Sequence, residues 1–192
     1  LSIAAVLSSK SPFLPGKDSL PGGRRSLFTT EPNDFVAFAN MFRRWRQAAN
    51  RQNGALFCSN YGLNNNVLYQ IEELRQQYFA YLVDANFVQV DQSMRNDLAR
   101  RRVRNGRPRL IEIPGHLDEN SDEAPVITLA LVAAFYPQLL VAEERSMQMR
   151  TLTNNQPAAV HPSSLNARKI LATPSAHFVL YHSILFSSRL YR

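Results

Sequence analysis

Cysteine is almost absent from this 192-residue chain, and a lone Cys58 cannot close an internal disulfide. A reducing, intracellular setting is therefore expected, cytoplasmic or nuclear. No Cys/His cluster has the spacing of a zinc site. The chain also lacks a G-x-x-x-x-G-K phosphate loop, so this stretch is not expected to hydrolyse ATP by itself. It holds no G-x-S-x-G elbow, no H-E-x-x-H helix and no D-x-D-x-D-G calcium loop, which leaves no catalytic residue to nominate. Long hydrophobic runs are scarce too. The most apolar stretch, residues 126–142, is interrupted by Pro137 and Gln138 and has no basic flanks, so it reads as a buried helix and a strand rather than a membrane span. The short apolar start, residues 1–7, has no basic region before it and no initiator Met; no signal peptide is expected, and the chain reads as though cut from the middle of a helix. No internal repeat is visible.

What is present is a folding composition with a strong positive bias. Hydrophobic residues make up 45% and aromatics 10%, too many for a disordered tail. Twenty-two Lys and Arg against fifteen Asp and Glu give a formal charge of +7, a balance that favours polyanionic partners and leaves nucleic acid and acidic membranes both open.

Along the chain, residues 1–7 form a first short element closed by Ser8-Ser9-Lys10-Ser11 before Pro12. Residues 14–30, with two prolines and Gly22-Gly23-Arg24-Arg25, read as an exposed flexible loop. Pro32 and Asn33-Asp34 then mark a helix start, and Phe35, Phe38, Phe42, Trp45 and Ala49 recur at helical spacing, with Arg43, Arg44 and Arg46 on the other faces. Trp45 is expected in the core. Gly54 is read as ending that helix or the loop after it. A second helix is predicted over residues 66–85, with Val67, Leu68, Ile71, Leu74, Tyr78, Tyr81 and Leu82 on its apolar side and Glu72, Glu73, Arg75, Gln76 and Gln77 opposite. Two such helices imply a small bundle over residues 1–94.

Residues 95–124 read as a charged linker or insertion, a solvated loop that leaves a phosphate-gripping role open: seven arginines between 95 and 109, then Asp118, Glu119, Asp122 and Glu123. The texture changes after Pro125. A compact helix over 126–136 is followed by strand-like segments at 139–142, 147–152, 158–161 and 178–186, bounded by Asn154-Asn155, Pro162 and Pro174-Ser175. That spacing predicts a small closed or nearly closed barrel over residues 125–192. The fold class is thus α+β, a helical bundle followed by an antiparallel barrel. His161, His177 and His182 are not expected to bind metal, because strand neighbours alternate faces. Cys58 is read as a buried structural thiol.

Short motifs in order carry a resemblance. Residues 1–13, ending Ser11-Pro12-Phe13, resemble the point in DEAH/RHA-type RNA helicases where a helix of the helicase-associated domain ends in an S-P-F-like turn. Residues 33–45, from Asn33-Asp34 to Trp45, are similar to that family's S-D-H-L-x-x-x-N-x-x-x-x-W pattern, and Cys58 with residues 63–74 to its C-x-x-x-F-L…I-x-x-L-R segment. His161-Pro162-Ser163-Ser164 matches the H-P-S-S motif of the OB-like domain, and residues 178–182 with 187–192 resemble its Y-H-E-…-Y-x-R strand. Gly62 departs from the pattern, standing where an aromatic is usual, with Tyr61 displaced by one.

The resemblance implies a fragment holding the ratchet-like helical domain and an OB-like barrel truncated at its C-terminal end, without the RecA-like motor and winged-helix domains. It implies a part in forming the channel for single-stranded RNA, with RNA contacts at Ser9, Lys10, Ser11, His161, Ser163, Ser164, Lys169 and Tyr181. No cofactor is expected in this stretch; ATP and Mg belong to the absent motor domains. Implied partners are single-stranded RNA, the motor and winged-helix domains of the same parent chain, and ribonucleoprotein assemblies. The alternative is a scaffold that docks the motor domains or a ribonucleoprotein partner without gripping RNA; an independent hydrolase is the remote third reading.

Overall fold

The computed structural model describes residues 1–15, 23–99, 103–104, 107–142, 148–167 and 178–185. They divide into two units, Leu1–Asp118 and Glu119–Arg192, each taken by itself below.

The first unit is helical. Helix α1 (Ser2–Leu7) buries Ala5 and Val6. Helix α2 (Asp34–Asn50) starts where the sequence indicates: the Asn33 side chain accepts from the backbone N–H groups of Phe35 and Val36 at 3.1 and 3.2 Å. Its buried stripe is Ala37, Phe38, Met41, Phe42 and Trp45, two residues per turn. Trp45 is fully buried as expected, stacks on Phe42, meets Tyr69 edge-on, and donates its indole N–H to Asn65 Oδ1 at 2.9 Å.

Gly54 does not end α2 but stands at the end of the loop after it and opens helix α3 (Gly54–Tyr61), where a Cβ would press against Ala49 Cβ at 3.1 Å, so the glycine serves close helix approach. Gly62 closes α3 in the left-handed conformation, at φ 61°. The Arg24 guanidinium occupies the space a Gly62 side chain would need and donates to the Gly62 carbonyl at 2.9 Å. Gly62 is thus a built feature, and Tyr61, one position earlier, packs on Phe28 and Phe57 at 5.2 and 4.6 Å.

Helix α4 (Asn65–Asp84) is capped by Asn64, whose side chain accepts from Asn66 and Val67 N–H. Here the expected division of faces needs correction. Glu72 and Arg75 are buried along with Leu68, Ile71, Phe79 and Val83, while Tyr81 is 59% exposed. The reason is an ion cluster. Arg75 Nε and Nη2 donate to Glu72 at 3.0 Å each, Gln76 donates at 2.9 Å, and Arg46 Nε of α2 lies 3.0 Å from Glu72 Oε2 as an ion pair, off hydrogen-bond angle. Arg46 is therefore not a solvated outer-face residue.

The same cluster grips the extended stretch at residues 109–112. Ile111, 9% exposed, gives its N–H to Glu72 Oε1 at 3.3 Å and receives Arg75 and Arg46 on its carbonyl at 2.5 and 2.7 Å. Gln76 donates to the Arg109 carbonyl at 2.6 Å. Between α4 and this stretch lie helix α5 (Gln92–Ala99) and a short antiparallel pair, β1 (Val103–Arg104) and β2 (Arg107–Pro108). Residues 95–118 thus belong to the helical unit in space.

Residues 23–28, read as part of a flexible loop, form a 3₁₀ turn (Gly23–Phe28). Arg25 pairs with Asp34 at 2.9 Å and sits 4.9 Å over the Phe38 ring, and Arg44 donates to the Leu27 carbonyl at 3.1 Å. Aromatic packing and arginine donors hold what composition alone presents as a polar, glycine-rich loop.

The second unit opens with α6 (Ala124–Phe135), as expected. A four-stranded antiparallel sheet follows, comprising β3 (Leu139–Ala142), β4 (Met149–Thr151), β5 (Pro157–Ala158) and β6 (Phe178–Leu180), in the order β5-β4-β3-β6. Register builds the core in rows. Ala158, Met149 and Ala142 pair across the sheet in one row, and Thr151, Leu140 and Val179 in another. Leu140 and Met149 are the buried pair, with Val160 and Tyr181 packed against them. The Asn154-Asn155 turn lies where the sequence places it: Thr151 Oγ1 accepts from Gln156 N–H at 2.9 Å, and Asn155 takes the left-handed conformation.

Candidate nucleic-acid interface

Of the eight residues nominated from sequence, three fall in a turn of the first unit, three in a turn of the second and Tyr181 in the second unit's sheet core, while Lys169 lies outside the described residues.

The first is the turn after α1. Ser8 and Ser9 N–H groups point back into the helix, to Ala4 and Val6 carbonyls, and Ser9 Oγ donates to Ala5 O at 2.8 Å. Ser9 therefore spends its hydroxyl proton on finishing α1. Ser11 Oγ, exposed, accepts from Phe13 N–H at 3.3 Å, and Lys10 is exposed beside it. The next residues dock firmly: Pro12 is buried, its carbonyl accepts from Asn64 N–H at 2.8 Å, Phe13 pairs with Leu63, and Leu14 N–H reaches Gly62 O at 2.9 Å. This turn lies at the carbonyl end of a helix, where no unpaired amides collect an anion. The ammonium of Lys10 and the Ser11 hydroxyl are the exposed polar groups of this turn.

The second is the His161-Pro162-Ser163-Ser164 turn. His161 Nδ1 accepts from Ser163 N–H at 3.2 Å and lies 2.8 Å from Ser163 Oγ; Ser164 N–H donates to His161 O at 2.9 Å; Ser164 Oγ accepts from Asn166 N–H at 3.1 Å. Both serines help build the turn. With Nδ1 accepting, a neutral His161 ring carries its proton on Nε2, so the exposed side chain offers a donor. Leu165 anchors the turn at 9% exposure. Tyr181, half-buried, belongs to the sheet core and gives its backbone N–H to Gln138 O at 3.1 Å, while His182 sets its ring edge-on to Phe135 at 5.6 Å.

Among the described residues no group of His, Cys, Asp or Glu could hold a metal ion. Burial pushes the Cys58 thiol up to about 11, which keeps it protonated and unreactive at neutral pH. Among the described residues no helix is long and apolar enough to cross a membrane.

Comparison with known proteins bears on both units. Residues 127–192 match the model of a family described as Oligonucleotide/oligosaccharide-binding (OB)-fold. The whole chain is similar to ATP-dependent DNA/RNA helicase DHX36 of Bos taurus, 27% identical over 201 residues. DExH-box ATP-dependent RNA helicase DExH1 of Arabidopsis thaliana is 26% identical over 172 residues, 88% of the chain, and probable ATP-dependent RNA helicase DHX34 of Homo sapiens 34% over 89 residues, 44% of the chain. The chain spans less than a fifth of each, 18%, 15% and 8% respectively.

Proposed function

We propose that this chain, which is related to the C-terminal OB-fold region of DEAH-box helicases, is an accessory region that helps line the single-stranded RNA channel of an ATP-dependent RNA helicase and supports translocation and unwinding. The observation that carries the reading is the pairing of a whole-length likeness to helicases with an OB-fold match over residues 127–192. In this reading ATP and Mg act in motor domains elsewhere in the parent chain, which is intracellular. This stretch supplies grip: Lys10 and Ser11 from one turn, the His161 donor and the neighbouring serines from another, with Lys169 and Tyr181 completing the set. Such groups hold the sugar-phosphate backbone and pass any base, as a translocating motor requires.

A salt titration tests this. The chain should bind a labelled single-stranded oligoribonucleotide with affinity falling steeply as salt rises, and Lys10→Ala with Lys169→Ala should blunt that slope by about 1.4, roughly 0.7 for each phosphate no longer neutralised on a single strand. No binding at low salt would refute the grip.

A second reading, a scaffold that docks the motor domains without touching RNA, is favoured by one feature. Helix α6 is apolar apart from Thr128 yet has no fully buried residue; Leu129 is 71% exposed and Tyr136, its C-cap, 66%. Tight binding to isolated motor domains, with none to RNA, would select it.

A further inference from the structure

We infer that the carbonyl end of helix α4 is a docking site for a basic, amphipathic segment of a partner polypeptide, with Phe87 and Tyr81 as its apolar contacts and Asp84 and Asp91 as its charge contacts.

The display of Phe87 is the first observation. Its side chain is 81% exposed, more than any other large hydrophobic among the described residues, and Tyr81, in the last turn of α4, is 59% exposed. Single apolar residues on a surface are ordinary, but this ring is mounted. Asn86 takes the left-handed conformation at φ 60°, and the chain reverses so that Asn86 N–H reaches the Val83 carbonyl at 3.1 Å and Phe87 N–H the Leu82 carbonyl at 3.0 Å. In this kind of helix ending an apolar residue at the Phe87 position frequently packs back onto the last turn. Here the backbone completes the ending and the ring stays in water. An aromatic on a backbone already fixed loses little freedom when a partner covers it, which is the character of an anchor residue.

The site is continuous along the chain and in space. Phe87 is bonded to the carbonyl of Leu82, the residue next to Tyr81, and Asp84, exposed, stands three residues after Tyr81 on the same helix face. Asp91 is exposed too, at the start of α5, which packs on α4; its carboxylate accepts from Met94 N–H at 2.7 Å.

Charge decides the occupant. Residues 76–94 hold Asp84 and Asp91 and no Lys, Arg or His, in a chain of formal charge +7; the next cation, Arg95, lies within α5 and is followed by Asp97. The end of a 20-residue helix adds its negative pole at the same place. A phosphate of RNA or of a lipid headgroup meets repulsion there. Lysine or arginine side chains of a polypeptide meet two carboxylates, and the aliphatic side chains between them find the two aromatic rings.

The site uses neither the Lys10 turn nor the His161 turn, so it stands or falls separately from them. The test uses the full chain and two fluorescein-labelled amphipathic peptides of one pattern, the first of leucine and lysine, the second of leucine and glutamate, followed by anisotropy, with Trp45 fluorescence as the check on folding. The lysine peptide should bind despite the chain's net positive charge, and Phe87→Ala should weaken it about 30-fold, the size of an anchor truncation. Phe87→Trp should retain binding. Asp84→Asn/Asp91→Asn, which keeps a capping side chain at the start of α5, should weaken it and flatten its salt dependence. Any capture of the glutamate peptide by basic surface elsewhere should be indifferent to Phe87→Ala. No binding of the lysine peptide, binding unchanged by Phe87→Ala, or an equal effect of that substitution on both peptides overturns the inference. So does weaker binding of a labelled oligouridylate by Phe87→Ala, which would put a nucleobase on the ring instead.

Discussion

Glu72→Ala removes the anion at the centre of the helical unit, and its cost can be reasoned from the groups it holds. The carboxylate is fully buried and faces two guanidiniums, Arg75 at 4% and Arg46 at 14% side-chain exposure. Without it Arg75 is left as a buried cation whose remaining partner is the Ile111 carbonyl, while Arg46 keeps Glu112 at 3.2 Å, an exposed and weaker partner. Breaking a buried pair from one side costs about 3–5 kcal/mol. Ile111 N–H loses its acceptor as well, at roughly 1 kcal/mol or more if water does not replace it. For a unit spanning Leu1–Asp118 that corresponds to a fall in Tm of roughly 12–20 °C. Trp45, the only tryptophan, lies in this unit, so fluorescence-monitored thermal and urea unfolding reports on it alone. A double-mutant cycle with Arg75→Met sharpens the test, because removing both ends discards the unpaired charge and the pair should be less damaged than Glu72→Ala by itself. A loss below about 1 kcal/mol in Glu72→Ala, or strictly additive losses in the cycle, would refute the idea that this carboxylate is the hub.

Two further outcomes follow from the same geometry. Gly62→Ala should destabilise the first unit by about 1–2 kcal/mol from the left-handed backbone, with an added penalty for expelling the Arg24 guanidinium, measurable as a shift in urea midpoint that Arg24→Ala partly reverses. For Cys58 the folded thiol is raised to about 11 from the usual 9.0, so the stability it contributes is fully present below pH 9 and is lost as pH climbs towards 11; Cys58→Ala should flatten that decline, and a thiol reagent at pH 8 should label the native chain only as fast as it unfolds.

Much of the architecture was written in local patterns. Asn33 and Asn64 stand at the starts of α2 and α4, the aromatic recurrence put Trp45 inside, and Asn154-Asn155 marked the β4–β5 turn. These are short-range rules in which a side chain acts on its own backbone. What failed depends on distant partners. Glu72 and Arg75 look like surface residues until Arg46 and Ile111 arrive from elsewhere in the chain to neutralise and bond them. Arg24 and Arg25 look like loop charges until Gly62, Asp34 and Phe38 engage them. At the candidate interface, sequence order indicated which turns to inspect, but not that the Ser9 hydroxyl is committed to α1 or that Tyr181 packs in the sheet core. The β1–β2 pair, with two residues in each strand, is too short to leave a periodicity in the sequence.

A single oxygen atom ties three helices together. Asn65 Oδ1 receives the Trp45 indole proton from α2 and lies 3.5 Å from the Cys58 sulfur of α3, while Asn65 itself begins α4. Three rods therefore meet at a tripod whose apex is one amide, and none can slide without the others. The neighbouring residue, Asn64, holds Pro12 through its backbone, so the perch of Lys10 is inherited from that apex. Mutations that shift the Lys10 turn can accordingly be sought in the interior, at Asn65, Trp45 and Cys58.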